Sequence, residues 1–567
     1  MARQKTFTVG GEEADFATIG DAIAKAPKGA TLQLAPGEYA GDIELTQEVN
    51  LIGQGELGEV VLTGAIHVDS GQAVIEKLMF SGPFRMSIGR SRMKNCALKG
   101  GMTVDGGAPI IESCSFEGAS IVYSGPAKGR LKGCVLQGTD LTLKGKCSPR
   151  IAENAITGAK ILFAEDASGS LDTCTITGVA EGPAITVSER SEPRIKGCRI
   201  HDNNAEGVWV CGEATPTISD CELNNNVGVG LALQGGRVTL RRCHSHHNKA
   251  NGVSFFGAQG TMNNCEVAHN AAPGLVIQGA SAPQVKSCHF HHNAGPGVLV
   301  VDRAAPVLEI CRLHDHDEPD VVVKGRNTAP VLKRCRLSGG SSNGVAFCDR
   351  AGGEVEKCDF QDHGKPEIAV WGGAHPIIRG CKIHKSRHMG VWIFEAGEPI
   401  LEDCQILNNA RVGVGVRGAS PTLKACKIAD GETNGLTIYD GAEPTVIDCE
   451  IARNSAPDIV IWGMADPKLS NCHIHSGKTY ALWVRQDGRG QLDGCEIDHA
   501  VIAGLQVDGG APKITNSRFH NLPIAARFSA GGGTITDTVF EENKETLVLL
   551  EGASPQLSNL QGVEISG

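Results

Sequence analysis

The chain is short of aromatic residues, which fill only 4% of its 567 positions, and of methionine, with eight. It has no run of the roughly 20 apolar residues that a membrane span needs. The opening Met1-Ala-Arg-Gln-Lys-Thr-Phe7 lacks the apolar stretch of a signal peptide. These absences lead to the expectation of a cytoplasmic protein with no membrane partner. Excess positive charge is also missing: 53 Lys and Arg stand against 64 Asp and Glu, a net charge of -11. That balance argues against a nucleic-acid backbone as the main partner. No shift in composition divides the chain, although it is long enough for three or four ordinary domains. An undivided chain of this length buries its apolar residues by repetition, because single cores stop growing beyond about 300 residues.

Glycine, at 73, and cysteine, at 21, are plentiful. The cysteines are periodic. From Cys198 the series runs through Cys221, Cys243, Cys265, Cys288 and onward to Cys495 in steps of 22 to 24 residues. Upstream it continues through Cys174, Cys134, Cys114 and Cys96, with Asn154 in one place, and Ser517 follows at the far end. Eighteen of the 21 cysteines therefore answer to one structural position. An apolar residue stands three before each (Ile218, Leu240, Val285) and often two after (Leu223, Val267, Phe290). Asn commonly follows at the fifth place, as in Asn203, Asn226, Asn248, Asn270, Asn293, Asn409 and Asn454. A short alternating strand comes next, such as Gly207-Val-Trp-Val210.

Such strands cannot cover their inner faces alone, but stacked as coils they can, each adding about 4.8 Å along the axis. The expectation is an all-β fold: a right-handed parallel β-helix of about 22-residue coils, with reduced cysteines as an inward column and Asn bonded from coil to coil. The segmentation expected is 1–50 for a cap and first strands, 51–197 for shorter coils, 198–540 for regular coils, and 541–567 for a terminal coil. Phe16, Ile19 and Ile23 at helical spacing, ended by Pro27 and Gly29, predict a short capping helix.

Phe16-Ala-Thr-Ile19 with Ala22-Ile23, Pro36-Gly-Glu-Tyr39 and Leu51-Ile-Gly53 together resemble the opening of pectin-lyase-like β-helix proteins. The repeats that follow resemble the parallel β-helix family of carbohydrate-binding proteins and sugar hydrolases, including the β-helical region of certain F-box proteins. The resemblance spans nearly the whole chain and implies the fold. It implies no single activity, since the family includes lyases, hydrolases, epimerases, phage spikes and scaffolds.

Alternation also says which side chains point outward. If Val208 and Val210 face in, Trp209 and Cys211 face out. Carried through every coil, this register collects all five tryptophans in two outward columns. The candidate ligand-binding residues are Trp371, Trp392, Phe394, Arg417, Tyr439, Trp462, Trp483 and Arg485, a band that marks a partner site. A turn folded over the strands, or packing in a dimer, would explain the same stripe. Acidic residues follow the second column at every other coil, among them Asp349, Glu395 and Asp440, the candidate catalytic acids. At about 10 Å apart they would approach the separation of an inverting glycosidase pair, although solvated turns carry such residues too. A histidine cluster from His244 to His316 could ligate a metal, but the recurrence of His201, His384, His475 and His520 favours a repeated turn residue. No metal and no cofactor is assigned. Cys211 and Cys348, off the ladder, are read as ordinary surface thiols. The leading expectation is a non-catalytic recognition or scaffold protein gripping a protein, peptide or glycan; the alternative is a polysaccharide- or glycoside-active enzyme.

Overall fold

The computed structural model describes residues 5–566 and divides into two compact units, Met1–Ala272 and Pro273–Gly567. Each unit is a stack of right-handed coils, and a regular coil contributes one strand to each of three parallel sheets. In the first unit one coil consists of Thr217–Ser219, Glu222–Asn224 and Leu231–Gly235. The next coil pairs with it in parallel on all three faces, Ile218 with Leu240, Leu223 with Ser245 and Leu233 with Phe255. The second unit repeats the plan with Ile377–Arg379, Lys382–His384 and Val391–Phe394. Their inner residues Ile378, Cys381, Ile383, Val391 and Ile393 are at most 1% exposed. At about 1.5–3 kcal/mol for each large apolar side chain buried, a coil gains enough from stacking to order strands of three or four residues.

Three corners join the sheets, and each has its own chemistry. A single left-handed residue precedes every ladder cysteine from Cys198 to Cys495, for instance Asp220 at φ +55°, Arg242 at +49° and Asn471 at +53°. That conformation costs about 1–2 kcal/mol for a side chain bearing Cβ, and Asn, Asp and His tolerate it best. The stack compensates by pairing the bent backbone: Asp220 N–H donates to Arg241 O at 2.9 Å. At the second corner the left-handed residue precedes the ladder asparagine. His247, His269 and His292 occupy it at φ +56°, +54° and +52°. Three histidines of the conspicuous cluster are thus corner residues, whereas His201, His384, His475 and His520, expected at a turn, end the strands Arg199–His201, Lys382–His384, His473–His475 and Arg518–His520, because they stand one residue before the corner. The third corner uses two left-handed residues in succession, Asp302-Arg303, Asp349-Arg350, Glu395-Ala396 and Asp440-Gly441.

The cysteine column lies inside, and all 21 cysteines are free thiols. Cys221 donates its S–H to Ser219 O at 3.2 Å and Ile195 O at 3.7 Å. Asn154 replaces a thiol with a stronger pair of bonds, accepting from Cys134 N–H at 2.8 Å and donating to Leu131 O at 3.0 Å. The asparagine column is also interior. Asn203 donates to Asn226 Oδ1 at 2.9 Å, Asn226 to Asn248 Oδ1 at 3.1 Å, and Asn248 to Asn270 Oδ1 at 3.0 Å.

The cap is a helix, Ile19–Lys25, whose Thr18 hydroxyl accepts from Asp21 N–H at 3.1 Å. It buries Ile19, Ala22 and Ile23. Phe16 lies outside the helix, bridged to Val9 and tilted against Phe7 with ring centroids 5.6 Å apart. Among the described residues no helix is long and apolar enough to cross a membrane.

Candidate functional site

The third sheet of the second unit positions the tryptophans. Its strands include Val345–Cys348, Ile368–Val370, Val391–Phe394, Val414–Arg417, Leu436–Tyr439, Ile459–Ile461 and Tyr480–Arg485. Their register places Ala369, Trp392, Gly415, Thr437, Val460 and Trp483 in one column. Phe394, Arg417 and Tyr439 follow one another in the neighbouring column. Trp371 and Trp462 continue it just past their strands, each held by a backbone bond to the preceding coil, Trp371 N–H to Phe347 O at 3.0 Å and Trp462 N–H to Ile438 O at 3.1 Å.

Read along the stack, the second column is Trp371, Phe394, Arg417, Tyr439, Trp462, Arg485: two rings, a guanidinium, two rings, a guanidinium. The planes stack on one another. Trp371 and Phe394 lie 5.5 Å apart at 11°, and Tyr439 and Trp462 lie 4.9 Å apart at 2°. Trp392 joins Phe394 from the adjoining column at 4.2 Å. Arg485 covers Trp483 at 4.7 Å and Trp462 at 5.8 Å. A spacing near the inter-coil rise lets aromatic faces meet, each contact adding about 0.5–1.5 kcal/mol beyond burial. The rings are accordingly half-buried rather than fully exposed.

Polar groups border the ladder. Arg417 Nε donates to Asp440 Oδ2 at 2.9 Å. Trp483 Nε1 donates to Asp508 Oδ2 at 2.7 Å, while Gln506 Nε2 donates to Asp508 Oδ1 at 2.8 Å. Tyr480 packs against Trp483 at 5.9 Å. Tyr480 and Asp508 were not among the expected site residues; their signal was proximity to Trp483 within its own strand and on the next one.

Asp349, Glu395 and Asp440 are exposed, and each begins the two-residue left-handed turn at the third corner. Asp349 stands 3.5 Å from Lys324 Nζ, and Asp440 is the partner of Arg417. Turn geometry accounts for their recurrence. A concavity lined by Arg326, Asn327, Arg350, Glu354, His375 and Glu398 lies beyond that corner, on the side of the first sheet rather than on the ladder.

The off-ladder thiols differ from the expectation. Cys348 is 7% exposed, because an outward position is closed over by larger vertical neighbours, and Cys211 is half-buried. Burial pushes both thiols up, as it pushes the interior Cys147 up to about 11. None carries the thiolate character of a nucleophile.

Coils of three parallel strands around an apolar column define the class of right-handed parallel β-helix proteins. The chain belongs to the right-handed β-helix family, whose model, described as a right handed beta helix region, matches residues 79–237, 231–329, 320–463 and 412–561. Comparison with curated protein sequences found no match. Similar solved structures include a PL6 family alginate lyase, 11% identical, covering 96% of this chain and 98% of that one at a TM-score of 0.25. The A-module of an Azotobacter vinelandii mannuronan C-5 epimerase is 12% identical and covers 97% and 92% at a TM-score of 0.18. A pectate lyase is 10% identical and covers 63% and 77% at a TM-score of 0.18.

Proposed function

We propose that the protein is a recognition β-helix and that its binding surface is the outer face of the third sheet between Trp371 and Arg485, with an extended glycan as the first candidate ligand and a peptide segment as the second. The observation that carries this reading is the ladder of ring pairs and guanidinium groups. The core is filled by the alternate residues of the same strands, so folding does not require the tryptophans outside. A repeating row of aromatic edges and arginines suits a polymer whose own units repeat along the stack. It supplies apolar contact together with donors for hydroxyl or carboxylate groups.

The second reading is a polysaccharide-active enzyme, favoured by Asp508, a carboxylate set beside Trp483 and Gln506 at the end of the ladder. Asp349, Glu395 and Asp440 would be its further acid or base candidates. One experiment separates these readings. Wild type, Trp392→Ala and Trp462→Ala are tested on a glycan panel that includes alginate and pectate, with thermal midpoints measured in parallel. Binding reduced at least tenfold in both variants with the fold retained supports the surface; unchanged binding refutes its location. Depolymerisation or epimerisation of a bound glycan by wild type, lost in Asp508→Ala or Asp440→Ala, would replace the recognition reading with the enzymatic one.

A further inference from the structure

The outer face of the second sheet carries a separate cluster that the ring ladder does not use. Strands His473–His475, Glu496–Asp498 and Arg518–His520 lie side by side, pairing His475 with Asp498 and Asp498 with His520. Ile474, Ile497 and Phe519 point into the core, so the flanking polar residues point out. His473 Nε2 meets Asp498 Oδ2 at 2.6 Å. His520 Nε2 lies 3.6 Å from the same oxygen and 2.9 Å from Glu496 Oε1. His475 stacks on His473 with ring centroids 4.2 Å apart, and its Nε2 is 3.4 Å from Glu450 Oε1. The ligand atoms of His473, His475 and Asp498 fall within 4.8 Å of one another, as do those of Glu496, Asp498 and His520.

Histidine recurs at the place of His475, as in His201, His384 and His520, but a histidine pair such as His473 and His475 with an aspartate at that place one coil on does not recur in the regular coils. The equivalent outward pairs in preceding coils are Gln405 and Leu407, Lys427 and Ala429, and Glu450 and Ala452. Asp498 is only 5% exposed, yet imidazoles of His473, His499 and His520 converge on its two oxygens. A buried carboxylate needs compensation, but one hydrogen-bonded imidazole per oxygen would provide it without His475 or His520. Two ligand atoms of a tetrahedral ion bound near 2.0–2.1 Å stand about 3.4 Å apart. The His473–Asp498 separation reaches that value with a shift of about 1 Å.

We propose that His473, His475 and Asp498 bind one divalent transition-metal ion of the zinc class, with His520 of the next coil, itself held by Glu496 of Asp498's own strand, orienting Asp498. Two imidazoles and a carboxylate suit Zn²⁺, Ni²⁺ or Co²⁺, whereas Ca²⁺ and Mg²⁺ select oxygen alone. The ion ties two coils together and keeps one coordination position open. The site is independent of the third-sheet reading.

The test titrates chelator-stripped full-length protein with Zn²⁺ against a chromophoric competitor. Wild type is compared with His473→Ala/His475→Ala, with Asp498→Asn, and with His292→Ala/His314→Ala, which removes a separate histidine and aspartate cluster. The expected result is one zinc equivalent lost in His473→Ala/His475→Ala, an affinity about 100-fold weaker in Asp498→Asn, and the same equivalent retained in His292→Ala/His314→Ala. Circular dichroism checks folding, and the isosteric Asp498→Asn decides if the double variant unfolds. Wild-type stoichiometry and affinity in a folded Asp498→Asn, or no zinc uptake by wild type, overturns the proposal.

Discussion

Asp458 takes a place that glycine holds in other coils, such as Gly413 and Gly435, and its carboxyl is driven into the second corner of the stack. Its side chain is fully buried. Oδ1 accepts from Asn454 Nδ2 at 2.7 Å and from Asn454 N–H at 3.2 Å, whereas Oδ2 has no hydrogen-bond partner. Desolvation outweighs those two bonds and the nearby Arg453, and lifts the carboxyl from 3.8 to about 7. A folded value above the unfolded one means that the folded state holds the proton more tightly. The associated stability is therefore complete below about pH 4 and is lost as pH rises through 7. At about 1.4 kcal/mol per pH unit between the two values, the loss is about 4 kcal/mol. Asp458→Asn keeps the acceptor for Asn454 and removes the ionisation. At pH 4.5 the variant and the wild type should differ by less than about 1 kcal/mol, because a protonated carboxyl and an amide leave similar unpaired donors. At pH 8 the variant should be more stable by about 2–4 kcal/mol. Long repeat stacks need not unfold in one step, so the local assay is hydrogen exchange at Leu436 N–H, which donates to Asp458 O at 2.8 Å, and at Asp458 N–H, which donates to Tyr480 O at 3.1 Å. Faster opening in the variant at pH 8, or a wild-type coil whose opening free energy is level between pH 5 and pH 8, would refute the reasoning.

Asn248→Ala should cost about 3 kcal/mol in urea unfolding, since it strands Leu223 O and Asn226 N–H, which now bond Asn248 at 3.1 Å each. Ile310→Gly should raise the thermal midpoint, gaining about 1 kcal/mol, because this exposed β-branched residue is held at φ +56° where glycine is unstrained. Iodoacetamide applied to native protein should label Cys211 first, as mass spectrometry of peptides can show. The ladder thiols should label only on unfolding, and early labelling of Cys243 or Cys404 would contradict the interior column.

Alternation decided the faces correctly because it depends on a single property, whether a residue is one step or two from an apolar neighbour. Val391 and Ile393 face in, and Trp392 and Phe394 face out, for that reason alone. How far an outward residue is covered depends instead on the sizes of its neighbours above and below. Ala346, Ala369 and Val460 are outward in register yet at most 5% exposed, because bulkier side chains one coil away close over them. The same vertical dependence hid the interior group of Asp320, His363 and Glu367. His363 stands in the asparagine column and Glu367 and Asp320 stand in the glycine column. His363 Nε2 therefore reaches Asp320 Oδ2 at 3.0 Å across an intervening coil whose Gly340 and Gly344 leave room, while Nδ1 bonds Glu367. A charged residue in a column of glycines was the signal available in the chain, and it is read only once the columns are aligned.

The histidines show why alignment must precede chemical interpretation in a stacked repeat. Near one another in sequence, His244, His246 and His247 look like one cluster, but they have different origins. His247 is a left-handed corner residue, while His244 and His246 are the outward ends of one strand. Corner histidines recur because the backbone conformation selects them along with Asn and Asp. Outward strand histidines recur too, at His201, His384, His475 and His520, but no strained backbone selects them, and each is explained by what lies one coil above and below. His473 and His475 fall in the second group, where the neighbours are Glu450, Glu496 and Asp498. A backbone preference cannot assemble carboxylates around imidazoles on successive coils, so a cluster of that kind requires a ligand or a stabilising role of its own. The zinc titration distinguishes the two, because a purely stabilising network would leave the fold weakened in Asp498→Asn and metal uptake unchanged.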